Sequence, residues 1–475
     1  MTRGLALLRW TAGLALVALT GCAPTPRPVP PQAQIDPPAA WRADTPERSS
    51  APADGWSRYG DPRLSALIEQ ALAHNSDVLR AAARVEQARE RIRLADAGLL
   101  PTLDAALSVG RSRQLGALGV SRSLAVQPSL EVAYEVDLWG RLRRLQRSAR
   151  LQYQASESER AAVRLAVAST TARAYVRLLS LDEQHAVTGA TVAARREALR
   201  VAEDRAALGY TSQLEVSQAL AEYEAAAELL PQLEQAIREQ EHALRLLTGR
   251  LPGPVERGAT LAQLQRPRIS AGLPSELLRR RPDLRQAERL LAASDQNLQA
   301  QRDLFLPQVR LSASLGRLFV DSLDYDPVRV WSLGGSVLAP LFAGGRLEAG
   351  LNIATAQRDE AAFAYRGAVL QAFSEVENAL SAIEQLGRRL ARIQTRQVTL
   401  ERSLQIAQDR YRSGYSSHLE VLDAQRQLFD AQLTAVALRE ALIAQSISLY
   451  QALGGPWDGP STAASANPGS ARSAQ

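Results

Sequence analysis

Lysine is missing from this sequence altogether, so its 56 basic residues are all arginine. They alternate with glutamate in stretches such as Arg195-Arg196-Glu197, balancing 50 acidic residues to a formal net charge of +6. That interleaving describes solvated helix faces and disfavours a nucleic-acid stripe, so no nucleic-acid partner is expected. A single cysteine, Cys22, rules out any disulfide within the chain. The four histidines, His74, His185, His242 and His418, lie too far apart for metal-ligand spacing. Phosphate-cradling glycine loops and nucleophile elbows are also absent, so neither an enzyme nor a cofactor is expected. Aromatics make up only 5% of residues, which favours long Ala/Leu-rich helices over a large aromatic sandwich.

The N-terminus carries an address. Arg3 and Arg9 precede the apolar run Leu14-Ala-Leu-Val-Ala-Leu19, which is too short for a stable membrane span. Leu19-Thr-Gly-Cys22 then reads as a bacterial lipoprotein box, with residues 1–21 a signal peptide and Cys22 the site of a covalent lipid. Several acyl chains on one residue give stable anchoring where one would not. Cleavage deletes Arg3 and Arg9 and lowers the formal charge by two. Ala23 stands where an aspartate would favour inner-membrane retention, which points to the outer membrane. Residues 22–55 contain Pro24, Pro26, Pro28, Pro30, Pro31, Pro37 and Pro38 and predict an extended tether.

The rest of the chain is duplicated. Arg205-Ala-Ala-Leu-Gly-Tyr210 recurs as Arg410-Tyr-Arg-Ser-Gly-Tyr415, 205 positions on, and Gly140-Arg141 recurs as Gly345-Arg346 at the same offset. Leu99-Leu-Pro101 matches Phe305-Leu-Pro307, and Asp77-Val78 matches Asp283-Leu284. The repeats are expected over 56–250 and 274–457, with a connection at 251–273 and a flexible tail at 458–475. Each repeat predicts a helix (Asp77 to about Gly98; Asp283 to about Leu304) and two alternating strands. In the first, Leu103, Ala105, Leu107 and Val109, then Val126, Leu130, Val132 and Tyr134, share one parity. In the second, Val309, Leu311, Ala313 and Leu315, then Trp331, Leu333, Val337, Ala339 and Leu341, do the same. Such period-two segments suit barrel strands with lipid on one face and water on the other, or a half-buried soluble sheet.

Between Gly140 and Gly209, and again between Gly345 and Gly414, no proline interrupts the chain. A helix filling either gap would be roughly 100 Å long. Returning helices follow, with Val216, Tyr223, Leu230, Ile237 and Leu244 every seven residues in the first. Val421, Leu428, Ala435, Leu442 and Leu449 do so in the second, beside a column of Leu422, Phe429, Val436, Ile443 and Tyr450. This pattern predicts coiled-coil packing, and Pro231 is placed to disturb the first of the two. Four strands cannot close a barrel, and open edges are not tolerated in lipid, so copies must pool strands. Strand count alone does not fix how many copies.

Tyr134-Glu-Val-Asp-Leu-Trp-Gly-Arg141, Arg280-Arg-Pro-Asp283, Leu341-Phe-Ala-Gly-Gly-Arg346, Ala372-Phe-Ser-Glu-Val-Glu377 and Val421-Leu-Asp-Ala-Gln-Arg-Gln-Leu428 together resemble the TolC-type outer-membrane efflux factors, specifically the OprM-like or NodT-like lipoprotein branch. The likeness runs from about Trp56 to Trp457, and Pro456 departs from the family's usual glycine. It implies an α+β membrane protein, a homotrimer with a twelve-stranded transmembrane β-barrel continued by a long α-helical coiled-coil tunnel in the periplasm. It also implies a periplasmic adaptor and an inner-membrane pump, of the RND class, as partners in efflux of small molecules. A duct for type I protein secretion, or a non-porous coiled-coil scaffold lipoprotein, are the alternatives. By the same resemblance Tyr411, Glu420, Asp423 and Arg426 match the periplasmic gate. The turns Leu208-Gly209-Tyr210 and Ser413-Gly414-Tyr415 match the adaptor-docking tips. Helix termination and an Asp423–Arg426 surface pair are the plainer readings of those residues.

Overall fold

A computed structural model describes residues 27–42, 55–116, 119–267, 269, 271–321 and 327–455. Cys22 and the expected tail therefore lie outside the described residues. The chain divides into two compact units, each drawing on both repeats. The first comprises the segment ending at Asp36, Ala83–Ser158 and Leu284–Ala368; the second comprises Pro37–Ala82, Glu159–Asp283 and the chain from Val369 on.

The first unit is built around a four-stranded antiparallel sheet. Its strands are β1 (Thr102–Gly116), β2 (Gly119–Val136), β3 (Gln308–Val320) and β4 (Val328–Leu338), in the order β1-β2-β3-β4. The central β2–β3 ladder joins the two repeats, a pairing that periodicity alone did not predict. Among the described residues, both outer strands leave one edge unpaired.

Register separates the faces. Leu103, Val132, Ala313 and Leu333 form one cross-strand row, and Ala105, Leu130, Leu315 and Trp331 form the next. On the opposite face lie Asp104, Glu131, Ser314 and Ser332, with a 2.8 Å hydrogen bond between the two serine hydroxyls. The apolar face is open: Leu103 is 68% exposed, Trp331 75% and Leu333 78%. From Val136 to Val126, ten residues of a tilted strand rise roughly 25 Å, the height of a hydrocarbon band.

The fourth strand stops earlier than its alternation suggests. Pro340 removes a backbone donor, and Gly344 and Gly345 take φ of 56° and 78°, so Leu341 and Phe342 sit exposed in a turn. The first hairpin instead continues past its apolar residues to Gly116 and Gly119.

The helices of the first repeat are α1 (Pro62–His74), α2 (Ser76–Ala97), α3 (Arg141–Ala207), α4 (Gln213–Ala227) and α5 (Leu229–Leu247). Those of the second are α6 (Pro274–Arg280), α7 (Pro282–Arg302), α8 (Arg346–Arg412) and α9 (His418–Ala452). The long helices α3 and α8 have 67 residues each and begin 205 positions apart, so the duplication extends to element boundaries. At 1.5 Å per residue each is about 100 Å long. The return paths differ. α9 is continuous over 35 residues, whereas the first return helix breaks at Glu228, three residues before Pro231. Proline supplies no N–H and its ring crowds the carbonyl four residues back, here Ala227.

The main core of the second unit gathers around Tyr175, Leu178, Leu244 and Ile447, all fully buried. Helix α1 joins it through Leu64, Leu67 and Ile68, behind an Asp61 cap that accepts from the Arg63 N–H at 2.8 Å. The segment 251–273 is no loose linker: Val255, Leu261 and Leu264 enter the same core. The Tyr175 hydroxyl donates to Asp61 at 2.7 Å and accepts from the Gly258 N–H at 2.9 Å, tying the segment to α1 and α3. Both columns of α9 are buried except Leu428, which is half-buried.

The described part of the proline-rich arm, residues 27–42, carries a short 3-10 turn at Pro31–Ala33 and is held in place. In the first unit Arg358 donates to the carbonyls of Arg27 (2.8 Å) and Pro28 (3.2 Å), and Arg366 donates to that of Gln32. In the second, the Trp41 indole donates to Gly272 O at 2.9 Å and packs on Phe373.

Candidate gate and docking tips

The two helix tips are the same turn made twice. Gly209 and Gly414 adopt φ of 76° and 78°, and the N–H groups of Tyr210 and Tyr415 reach back to the carbonyls of Arg205 and Arg410, both at 2.9 Å. This closes each helix by a left-handed glycine cap. The turn also leaves Leu208 72%, Tyr210 81% and Tyr415 80% exposed, together with Leu214 and Leu419 just beyond. Termination and an open apolar tip are thus properties of one geometry.

Behind the tips, α8 is tied to the first repeat. The Tyr411 hydroxyl donates to Glu215 Oε2 at 3.2 Å, and the Arg205 guanidinium lies 5.0 Å from its ring centroid. Burial pushes the Tyr411 hydroxyl up from its ordinary pKa. His418, 4% exposed at the start of α9, packs its ring 5.0 Å from that of Tyr411.

Two turns away a second tie forms. Arg426 meets Glu222 at 3.4 Å, and Glu222 also receives the buried Arg195, through its carboxylate at 3.2 Å and its backbone carbonyl at 2.6 Å. Arg195 is 5% exposed, and its guanidinium sits 5.6 Å from the Phe429 ring. Asp423 accepts from Gln427 at 2.7 Å. Among the described residues no Asp423–Arg426 pair forms, so the plainer surface-pair reading does not describe this site. Glu420 lies exposed in the first turn of α9.

Sequence reasoning missed Arg195, Arg205, Glu222 and His418 as members of this cluster. One signal was present. Arg195 stands four residues before Leu199 on an apolar stripe of α3, and Glu222 stands between Ala219 and Ala226 on α4. A charge on an apolar stripe needs a partner, and these two face each other.

His418 gives the cluster a pH dependence. Burial depresses its pKa below the usual 6.5; Glu215 on α4 opposes this, and Arg205 on α3 adds to it. The neutral ring is the one that packs against Tyr411 on α8. The unfolded or opened tip binds more protons below the ordinary histidine value, so this packing is intact above it and is lost as pH falls through the depressed pKa. Lowering the pH from about 7.5 to about 5 should loosen the tip, read as faster backbone amide exchange around Tyr411 and His418, and His418→Phe should abolish the pH-dependent part. An unaltered pH profile in that variant would remove His418 from the tip equilibrium.

An amphipathic four-stranded sheet with open edges, joined to duplicated rods with capped tips, defines a subunit of an outer-membrane channel. The chain belongs to the outer membrane efflux protein family, whose model matches residues 67–250 and 273–455. It is 35% identical over 459 residues to the pyoverdine export outer membrane protein OpmQ of Pseudomonas aeruginosa, covering 93% of this chain and 96% of that one. It is 34% identical to the solvent efflux pump outer membrane protein SrpC of Pseudomonas putida, covering 93% and 97%. Among solved structures it is similar to the open state of the Neisseria gonorrhoeae MtrE outer membrane channel, with TM-score 0.80, 30% identity and 92% and 98% coverage. It is likewise similar to the outer membrane protein VceC of Vibrio cholerae, with TM-score 0.79, 29% identity and 85% and 99% coverage. The protein is therefore the outer-membrane channel component of an efflux system, and its sheet is the transmembrane part.

Proposed function

We propose that three copies pool their strands into a twelve-stranded barrel and act as a passive duct with no chemistry of their own. The unpaired edges of β1 and β4 carry this reading. In lipid every backbone polar group must be satisfied, so both edges require partners from other copies. Eight strands would be filled by side chains, whereas twelve leave a bore. The lipid on Cys22 adds a second hold on the membrane, and the tips at Leu208-Gly209-Tyr210 and Ser413-Gly414-Tyr415 dock a periplasmic adaptor. Through it an inner-membrane pump of the RND class supplies the energy. Tyr411, Glu420, Asp423 and Arg426 narrow the entrance. The cargo is small molecules, as the names of the pyoverdine and solvent relatives suggest.

The chain has no lysine, so amine-directed cross-linkers report little and engineered cysteines are needed. Cysteine pairs placed along β1 and β4 should give, on oxidation in membranes, a ladder that ends at three mature chains. A ladder ending at two, or one running on without limit, would overturn the trimer.

A further inference from the structure

Toward the hairpin turns, the lipid-facing parity of the sheet turns basic. Arg317 and Arg329 are direct cross-strand partners on β3 and β4, and Arg113 and Arg122 are direct partners on β1 and β2. Arg111 shares that parity, between the two levels. All five side chains are exposed, and among the described residues none pairs with a carboxylate. Like charges placed opposite one another destabilise a sheet. Here the arrangement occurs twice, once in each hairpin, always toward the hairpin turn.

The levels are informative. Arg317 follows Leu315 and precedes Phe319 on the same face, and Arg329 stands beside Trp331 with the same parity. The pair therefore lies one row inside the upper edge of the apolar band, level with Leu107 and Pro128 and below the row of Val109, Val126 and Phe319, while Arg111, Arg113 and Arg122 lie beyond it. The β2–β3 ladder lapses beside Arg317, where Pro128 has no N–H to give, and a Cβ on Gly316 would lie 2.6 Å from the Pro128 carbonyl. A recess of about 540 Å³ opens there, lined by Pro128, Leu130, Leu315, Gly316, Arg317 and Arg329. An apolar wall carrying a paired guanidinium clamp near its upper edge suits a molecule with acyl chains below and an anionic headgroup above. Guanidinium pairs match phosphate oxygens bidentately.

We propose that this arginine collar binds the phosphate groups of lipid headgroups in the outer leaflet, and that these phosphates relieve the two like-charge pairs. The inference rests on the assignment of the sheet as membrane-spanning with its hairpin turns outward. From one row inside the band edge the long arginine side chains extend upward to the headgroups without leaving charge in hydrocarbon.

The test uses the full-length protein reconstituted in phosphatidylcholine vesicles, alone, with bisphosphorylated lipid A, with dephosphorylated lipid A, or with free inorganic phosphate. Bisphosphorylated lipid A should raise the thermal midpoint of the oligomer by about 4 °C, and the other additions should not. The combined variant Arg113→Ser, Arg122→Ser, Arg317→Ser, Arg329→Ser should lose most of that shift. Lysine at the same four positions should retain part of it, and Arg310→Ser, on the other face, should retain it all. An equal shift with dephosphorylated lipid, with inorganic phosphate, or in the serine variant would overturn the collar. Failure of the wild-type chain to insert at all, read by protease protection, would instead overturn the membrane-spanning assignment beneath it.

Discussion

Replacing Asp423 and Arg426 together by alanine is expected to raise the closed-state conductance about tenfold in planar bilayers. The double change removes the Arg426–Glu222 contact at 3.4 Å and the Asp423–Gln427 hydrogen bond at 2.7 Å. The Arg426 side chain is 48% exposed, so its ion pair is discounted to about 0.5 kcal/mol. Three copies acting on one closed state give about 1.5 kcal/mol, which is roughly a factor of ten in population. Tyr411→Phe removes the hydroxyl's interactions with Glu215 and Arg205 but leaves the ring packed on His418, so its effect should be smaller. Closed-state conductance identical to wild type in the double variant would take these residues out of the entrance.

Leu333→Arg should abolish assembly in the outer membrane, while Ser332→Arg should assemble and change ion selectivity. The two positions are neighbours in β4 and differ only in face. Leu333 lies in the row with Leu103, Val132 and Ala313, whereas Ser332 shares a hydrogen bond with Ser314 on the polar side. An arginine near the middle of the lipid-facing band costs about 2–4 kcal/mol per copy, and three copies carry it at once. Oligomer yield in isolated membranes and reversal potential under a salt gradient read the two results. If Leu333→Arg assembled normally and Ser332→Arg did not, the face assignment would be inverted.

The rods were the most legible part of the chain, because a long stretch without proline between two glycines leaves helix as its natural state. Strand boundaries were harder. β1 and β2 run past Val109 because the residues beyond are arginines, which break the apolar alternation without breaking the ladder. Helix α1 escaped notice although Asp61, Pro62 and the spacing of Leu64, Leu67, Ile68 and Ala71 mark a capped amphipathic helix. The duplication does not reveal it, since its place in the second repeat is taken by the seven residues of α6. The segment 251–273 resembled a linker because its three core residues are scattered among turn formers. Near the tips, sequence matching singled out Tyr411 and Arg426 but not what holds them. Their partners Glu215 and Glu222 belong to the other repeat, about 200 positions away, where no spacing rule connects them.

The interruption of the first return helix gives those partners a common fate. Glu215 and Glu222 stand seven residues apart on one side of α4, a 15-residue helix that ends at the Glu228 break. One grips Tyr411 and the other Arg426, while α9 is immobilised along its length by its own buried columns. A pull on the tip that swings this helix slackens both grips together. Each chain would then behave as a latch with two positions, and the proline that spoiled the symmetry of the duplication would mark the end of its bar.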